Sequence, residues 1–135
     1  MPTGESFQRT LRQGAELFNV GMYWHCHEFL EQAWLPAEGE RRILLQAIIQ
    51  AASAFNKWLY EENAPGAVKH LDHALENLSK LPPDFFGLAL DEFRAGLEAC
   101  RQALLRGETK SIARLPVPRL RKARRRVYPK SVGGQ

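Results

Sequence analysis

Apolar residues return along this chain at helical spacing, and the spacing predicts about five helices. Phe7, Leu11, Ala15 and Phe18 recur at steps of four, four and three, which lays one apolar stripe on a helix from near Glu5 to Phe18. Asn19-Val20-Gly21 ends it, with Gly21 free to take the left-handed conformation that closes helices. A second helix runs from about Met22 to Leu35, where Pro36 stops it. Its stripe is Tyr23, Cys26, Leu30, Ala33 and Trp34, and His27 and Glu31 fall on or beside that stripe. The third helix, about Arg41 to Tyr60, is apolar almost all round, the mark of a central, packed helix. Its one polar line is Arg42, Gln46, Gln50, Ser53 and Lys57. A fourth helix opens at Pro65, which suits a first turn, and ends before Pro82-Pro83. A fifth begins between Phe85 and Asp91 and stops near Gly107. No strand-like alternation and no fixed-period repeat is present, so the expected fold is all-α, a compact helical bundle without a sheet.

Composition changes this picture at the C-terminus. The chain of 135 residues has 44% apolar and 25% charged positions, an ordinary balance for one globular domain. Its net charge of +4 hides an asymmetry. Arg119, Arg121, Lys122, Arg124, Arg125, Arg126 and Lys130 form a basic run without an acid; the other residues carry 12 basic and 15 acidic side chains, a net of −3. The organisation expected is a helical domain over residues 1–112 and a basic tail or loosely docked arm over 113–135. No apolar run approaches the roughly 20 residues of a membrane span, and the N-terminus lacks the layout of a secretory signal. A cytoplasmic location without membrane attachment is expected. Cys26 and Cys100 read as two buried free thiols, in keeping with a reducing compartment.

The chemistry concentrates in His25-Cys26-His27-Glu28-Phe29-Leu30-Glu31. His27 and Glu31 are one helical turn apart and share a face. The zincin motif needs a second histidine where Glu31 stands, and the di-iron motif needs a glutamate where Trp24 stands, so neither metal signature is met. Packing the second helix against the third would bring His27 and Glu31 to the line of Arg42, Gln46 and Gln50. A buried Glu31 would need one of these partners. Two readings follow: a satisfied polar network that fixes helix register, or a pocket for a small-molecule ligand or metal, with acid–base hydrolysis as a lesser variant. His70 and His73 read as part of a solvated face. No Gly-rich phosphate loop, Ser-His-Asp ordering or nucleophile elbow occurs, so no catalytic residue and no cofactor is named.

The run Phe18-Asn19-x-Gly21-x-Tyr23-x-x-Cys26-His27-Glu28-x-Leu30-Glu31-x-x-Trp34, then Arg42-x-x-x-Gln46-x-x-Ile49-Gln50-x-Ala52 and Asn63-x-x-Gly66-Ala67, resembles the domain-of-unknown-function family numbered 309, over roughly residues 11–80. The resemblance implies a compact all-helical prokaryotic domain. It also implies that His27, Glu28, Glu31, Trp34, Gln46 and Gln50 belong to the family's signature. It supplies no activity.

Three functions compete. The favoured one is a ligand- or metal-binding domain with a polar pocket at His27, Glu31, Gln46 and Gln50, flanked by Glu28, Trp34 and Arg42. The second is a nucleic-acid-associated protein that binds weakly, through charge, by the tail Arg119–Lys130. The third is an interaction module without a site, as a monomer or homodimer.

Overall fold

The computed structural model describes residues 4–107 and 119–123. Five helices dominate: α1 (Gly4–Asn19), α2 (Tyr23–Trp34), α3 (Gly39–Leu59), α4 (Ala64–Leu78) and α5 (Leu90–Leu105). α3 buries ten apolar side chains, from Leu44 to Trp58, more than any other element. It packs against α2 on one side and α4 on the other. All five residues of its polar line, Arg42, Gln46, Gln50, Ser53 and Lys57, are half-buried, so the line forms a seam between its two neighbours.

Aromatic side chains tie the remaining helices to this centre. Phe18 of α1 meets Tyr23 of α2, Phe55 of α3 and Phe93 of α5 edge-on, with ring centroids 5.2, 5.8 and 5.3 Å away, the arrangement the ring quadrupoles favour. α1 and α2 touch at Gly14. A Cβ there would lie 2.6 Å from Leu30 Cδ2, and the Cys26 thiol donates to the Gly14 carbonyl at 3.3 Å. Both cysteines are free and buried; burial pushes the Cys26 thiol up to about 12 and the Cys100 thiol up to about 11.

The absence of a sheet is corrected by a small hairpin between α4 and α5. β1 (Asp84–Phe85) pairs antiparallel with β2 (Leu88–Ala89), Asp84 opposite Ala89 and Phe85 opposite Leu88. Strands of two residues are too short for any alternation to register. The turn between them is Phe86-Gly87, with φ of 52° and 79°. Two positive φ values define the turn whose twist suits a two-residue hairpin. Glycine takes the second readily; Phe86 is held in the first by its ring, which packs edge-on against Phe7 at 4.8 Å and Phe85 at 4.7 Å.

Residues 119–123, from the region expected to form a tail or docked arm, lie along this hairpin. Lys122 bridges Leu88 in antiparallel fashion. The Ala89 amide donates to the Arg121 carbonyl at 2.9 Å, and the Ala123 amide to the Gly87 carbonyl at 2.8 Å. From α1, the Asn19 side chain grips Leu120 by both backbone groups, accepting from its amide at 2.7 Å and donating to its carbonyl at 3.0 Å. Leu120 is buried in the core. Arg124, Arg125, Arg126 and Lys130 lie outside the described residues. Among the described residues, no helix is long and apolar enough to cross a membrane.

Candidate functional site

The seam along α3 ends differently at its two ends. At the N-terminal end, Arg42 is used by the backbone. Its Nη1 donates to the carbonyls of Trp34, Leu35 and Ala37 at 3.4, 3.4 and 3.2 Å, and its guanidinium lies 3.8 Å from the centre of the Trp34 ring. A cation here meets carbonyls at and just beyond the helix C-terminus, where acceptors have capacity to spare, and the negative end of the helix dipole. Arg42 and Trp34 therefore fasten the end of α2 to the start of α3.

Towards the C-terminal end, the seam opens into a cavity of about 250 Å³. α2 contributes Tyr23, Trp24 and His27; α3 contributes Ser53, Asn56 and Lys57; Glu61 follows α3, and His70 comes from α4. His27 projects here because it follows buried Tyr23 by four positions and precedes buried Leu30 by three, at the edge of the packed face. The Trp24 indole is stacked on it, with ring centroids 5.4 Å apart and planes 12° from parallel. Trp24 is itself 54% exposed, an apolar surface left at the cavity's rim.

The two imidazoles have different partners. His27 Nε2 lies 3.5 Å from Glu31 Oε2, while its Nδ1 is buried without a hydrogen-bond partner. It is the one side-chain polar atom so placed among the described residues. His70 Nδ1 lies 2.8 Å from Gln50 Oε1. Because that oxygen only accepts, Nδ1 carries the proton, and Nε2 of the neutral ring keeps its lone pair. Burial lowers the His70 pKa, helped by the positive charges of Lys57, His73, Lys69 and His27, so its neutral form prevails at pH 7. Tyr23, on the cavity wall, is pushed up to about 12, first by burial and then by Tyr60, Cys100 and Cys26; its hydroxyl keeps its proton. Lys57 pairs with Glu61 at 3.3 Å, and Asn56 donates to the same carboxylate at 3.3 Å.

The residues singled out from the sequence are thus divided. His27 and Glu31 form a pair, but the Glu31 side chain is 48% exposed rather than buried, since the packed face of α2 centres on Tyr23, Cys26 and Leu30. Gln50 is drawn to His70 of α4 rather than to His27. Gln46 is half-buried and makes no hydrogen bond among the described residues, Glu28 is exposed, and Trp34 and Arg42 belong to the fastening at the other end. His73 is on the solvated face as expected, whereas His70 is half-buried. The packed face of α4 is Ala67, Leu71, Ala74 and Leu78. His70 follows Ala67 by three and precedes Ala74 by four, a spacing that would have found it. Among the described residues, no group of three or more His, Cys, Asp or Glu side chains is placed to hold a metal ion.

An "Uncharacterized protein" of Aquifex aeolicus (strain VF5) is 30% identical to this chain over 89 residues, 65% of this chain and 26% of that protein. The chain thus spans about a quarter of the length of the relative it matches. Residues 11–70, from the middle of α1 to His70 and including both imidazoles of the cavity, match the model of the family described as "Domain of unknown function (DUF309)", the family that the sequence pattern resembles.

Proposed function

We propose that the domain binds a small polar ligand in the cavity between α2, α3 and α4, with His27 and His70 as the recognising groups. The observation that carries this reading is the convergence of the two imidazoles on one cavity, each with one nitrogen committed to a partner on its own side: Glu31 for His27 and Gln50 for His70. Second partners of this kind orient a ring for use by something else. Ser53, Asn56 and Lys57 line the floor, and exposed Trp24 offers a flat apolar edge. The orphaned Nδ1 of His27 supports the same reading, since a buried polar atom without a partner is uncommon where packing alone is at work. The test follows the ring protons of His27 and His70 by NMR while inorganic phosphate, acetate, a primary amine and a monosaccharide are titrated in turn. One of these should move both rings together, and His70→Ala should abolish the response at His27. If every probe leaves both rings unmoved, or moves only His25 and His73 on the surface, the cavity is not a binding site.

A second reading keeps the basic segment in view. Arg119, Arg121 and Lys122 are exposed and form no ion pair among the described residues. They are therefore available to phosphates, and weak, salt-dependent nucleic-acid binding is the activity they support. Full-length and truncated protein should differ in the slope of affinity against salt; equal slopes would reject this reading.

A further inference from the structure

At the opposite end of α3 from the imidazole cavity, a second cavity of about 480 Å³ opens between α1, the end of α2 and the start of α3. We propose that it binds a small monocarboxylate with an apolar tail, anchored by Arg41. The inference is independent of the imidazole site, because no lining residue is shared.

Arg41 and Arg42 are adjacent in sequence and opposite in use. Arg42 donates to three carbonyls. Arg41 has neither a hydrogen bond nor an ion pair among the described residues, although it is half-buried. What holds it is aromatic: its guanidinium carbon is 5.0 Å from the centre of the Phe7 ring and 5.2 Å from that of Phe86. Ring faces attract the cation and fix its position, but they do not satisfy its in-plane N–H donors. Those donors form a planar fork that matches a carboxylate bidentately. Positioned by two rings, the fork gives up little freedom on pairing.

Most of the rest of the wall is apolar, formed by Phe7, Ala33, Pro36 and Ala37; Thr10 also lines it, its hydroxyl donating to the Ser6 carbonyl at 3.1 Å. The volume lies within the roughly 300–1,000 Å³ of small-molecule pockets, enough for a short alkyl or aromatic tail. Glu38, three residues before Arg41, also lines the cavity without pairing with it. Its carboxylate opposes a second negative charge, so a monoanion is favoured over a dicarboxylate or a phosphate.

The experiment uses the full chain and three eight-carbon probes: octanoate below its micellar concentration, octan-1-ol and octanedioate. Calorimetry should give octanoate an affinity about ten-fold or more above that of octanol, as a charge-assisted pair implies, with octanedioate weaker than octanoate. Arg41→Gln should erase the preference for octanoate over octanol, and Arg41→Lys should lose most of it. Glu38→Gln, which leaves Arg41 and its two rings unaltered in sequence, should bring octanedioate level with octanoate. Equal binding of octanoate and octanol to the unaltered chain would overturn the proposal, as would an Arg41→Gln protein that keeps its octanoate affinity. Octanoate-induced shifts at the His27 and His70 rings would also overturn it, because they would place the ligand in the other cavity. Should Arg41→Gln fail to fold, the Glu38→Gln arm decides: an unchanged octanedioate affinity rejects the site.

Discussion

Arg42 and Lys57 stand on the same polar line of α3, four turns apart, and the helix carries them to different fates. Around Arg42, chain from the end of α2 closes over the guanidinium, which donates to three backbone carbonyls and lies on the Trp34 face. Around Lys57, α2 and α4 stand apart, and side chains face one another across a cavity: His27 with a buried nitrogen unpaired, His70 neutral, and Trp24 exposed. A half-buried polar residue on a central helix is thus not in itself a sign of function. It becomes one where the neighbouring elements leave its donors and acceptors room to meet something other than the chain.

The largest effect that would sharpen this comparison is expected at the closed end. Arg42→Ala removes hydrogen bonds from a charged donor to carbonyls at the end of α2 and strips a ring of its cation. Half-burial tempers the loss, which should be about 1–2 kcal/mol of stability. Denaturant unfolding measures it, and the ring protons of His27 and His70 in the folded protein should not move. A loss below about 0.5 kcal/mol, the range of ordinary surface changes, would break the claim that this end is structural.

Next comes Gln50, which joins the seam to the open end. Gln50→Leu keeps the volume but removes the acceptor for His70 Nδ1–H, at an expected cost of about 1 kcal/mol. It should also free the His70 ring to exchange tautomers. Nitrogen chemical shifts of the ring report the tautomer directly, and a ring that stays protonated at Nδ1 in this variant would contradict the assigned role.

The same comparison explains what was legible in the sequence. The helices and the seam follow from a period of 3.6, which holds over the 21 residues of α3, so their positions could be read off. Glu31 could not, because it sits at the margin of a packed face, where one helix's pattern does not say how closely the neighbours approach. His70 could have been placed by its spacing from Ala67 and Ala74, but the larger apolar residues of α4 point elsewhere. Val68 and Leu75 draw the eye to one side of α4, but both are only half-buried, and the packed face centres on Ala67 and Ala74, nearer His70. The hairpin was illegible for another reason. Its register comes from Phe86 packing on Phe7, 79 positions away in the chain, and from pairing with residues 121–123, neither of which leaves a local trace. Asn19 belongs with these: its signature position reads as a helix end, while its side chain serves Leu120, 101 residues on.

A smaller effect is expected for the His27–Glu31 pair. With Nε2 and Oε2 3.5 Å apart and Glu31 half in solvent, a double-mutant cycle with His27→Ala and Glu31→Gln should give a coupling of about 0.3–0.5 kcal/mol. Coupling of 3 kcal/mol or so, the scale of a buried pair, would mean that the open end is as closed as the Arg42 end.

The subtlest expected effect is in the pH dependence of stability, which reads the charge around the cavity. The His70 ring is faced by His27, paired with Glu31, from α2; by Lys57, paired with Glu61, from α3; and by His73 and Lys69 on its own helix. Burial, then Lys57, His73, Lys69 and His27, lower its folded pKa below the ordinary 6.5. In the unfolded chain His70 takes up a proton near that ordinary value, while the folded protein resists until a lower pH. Between the two the unfolded state holds more protons, so acidification favours unfolding. The stability tied to neutral His70 is therefore complete above the unfolded pKa. It declines as pH falls below it, and the decline ends once the folded pKa is passed. His70→Asn should flatten that part of the stability profile, which lies below the ordinary histidine value of 6.5. Lys57→Gln, which removes the largest single charge acting on the ring, should raise the folded pKa of His70 towards its ordinary value, as seen in the titration of its ring protons. If Lys57→Gln left that titration where it was, Lys57 would not be acting across the cavity, and the open end of the seam would have lost the cation assigned to it.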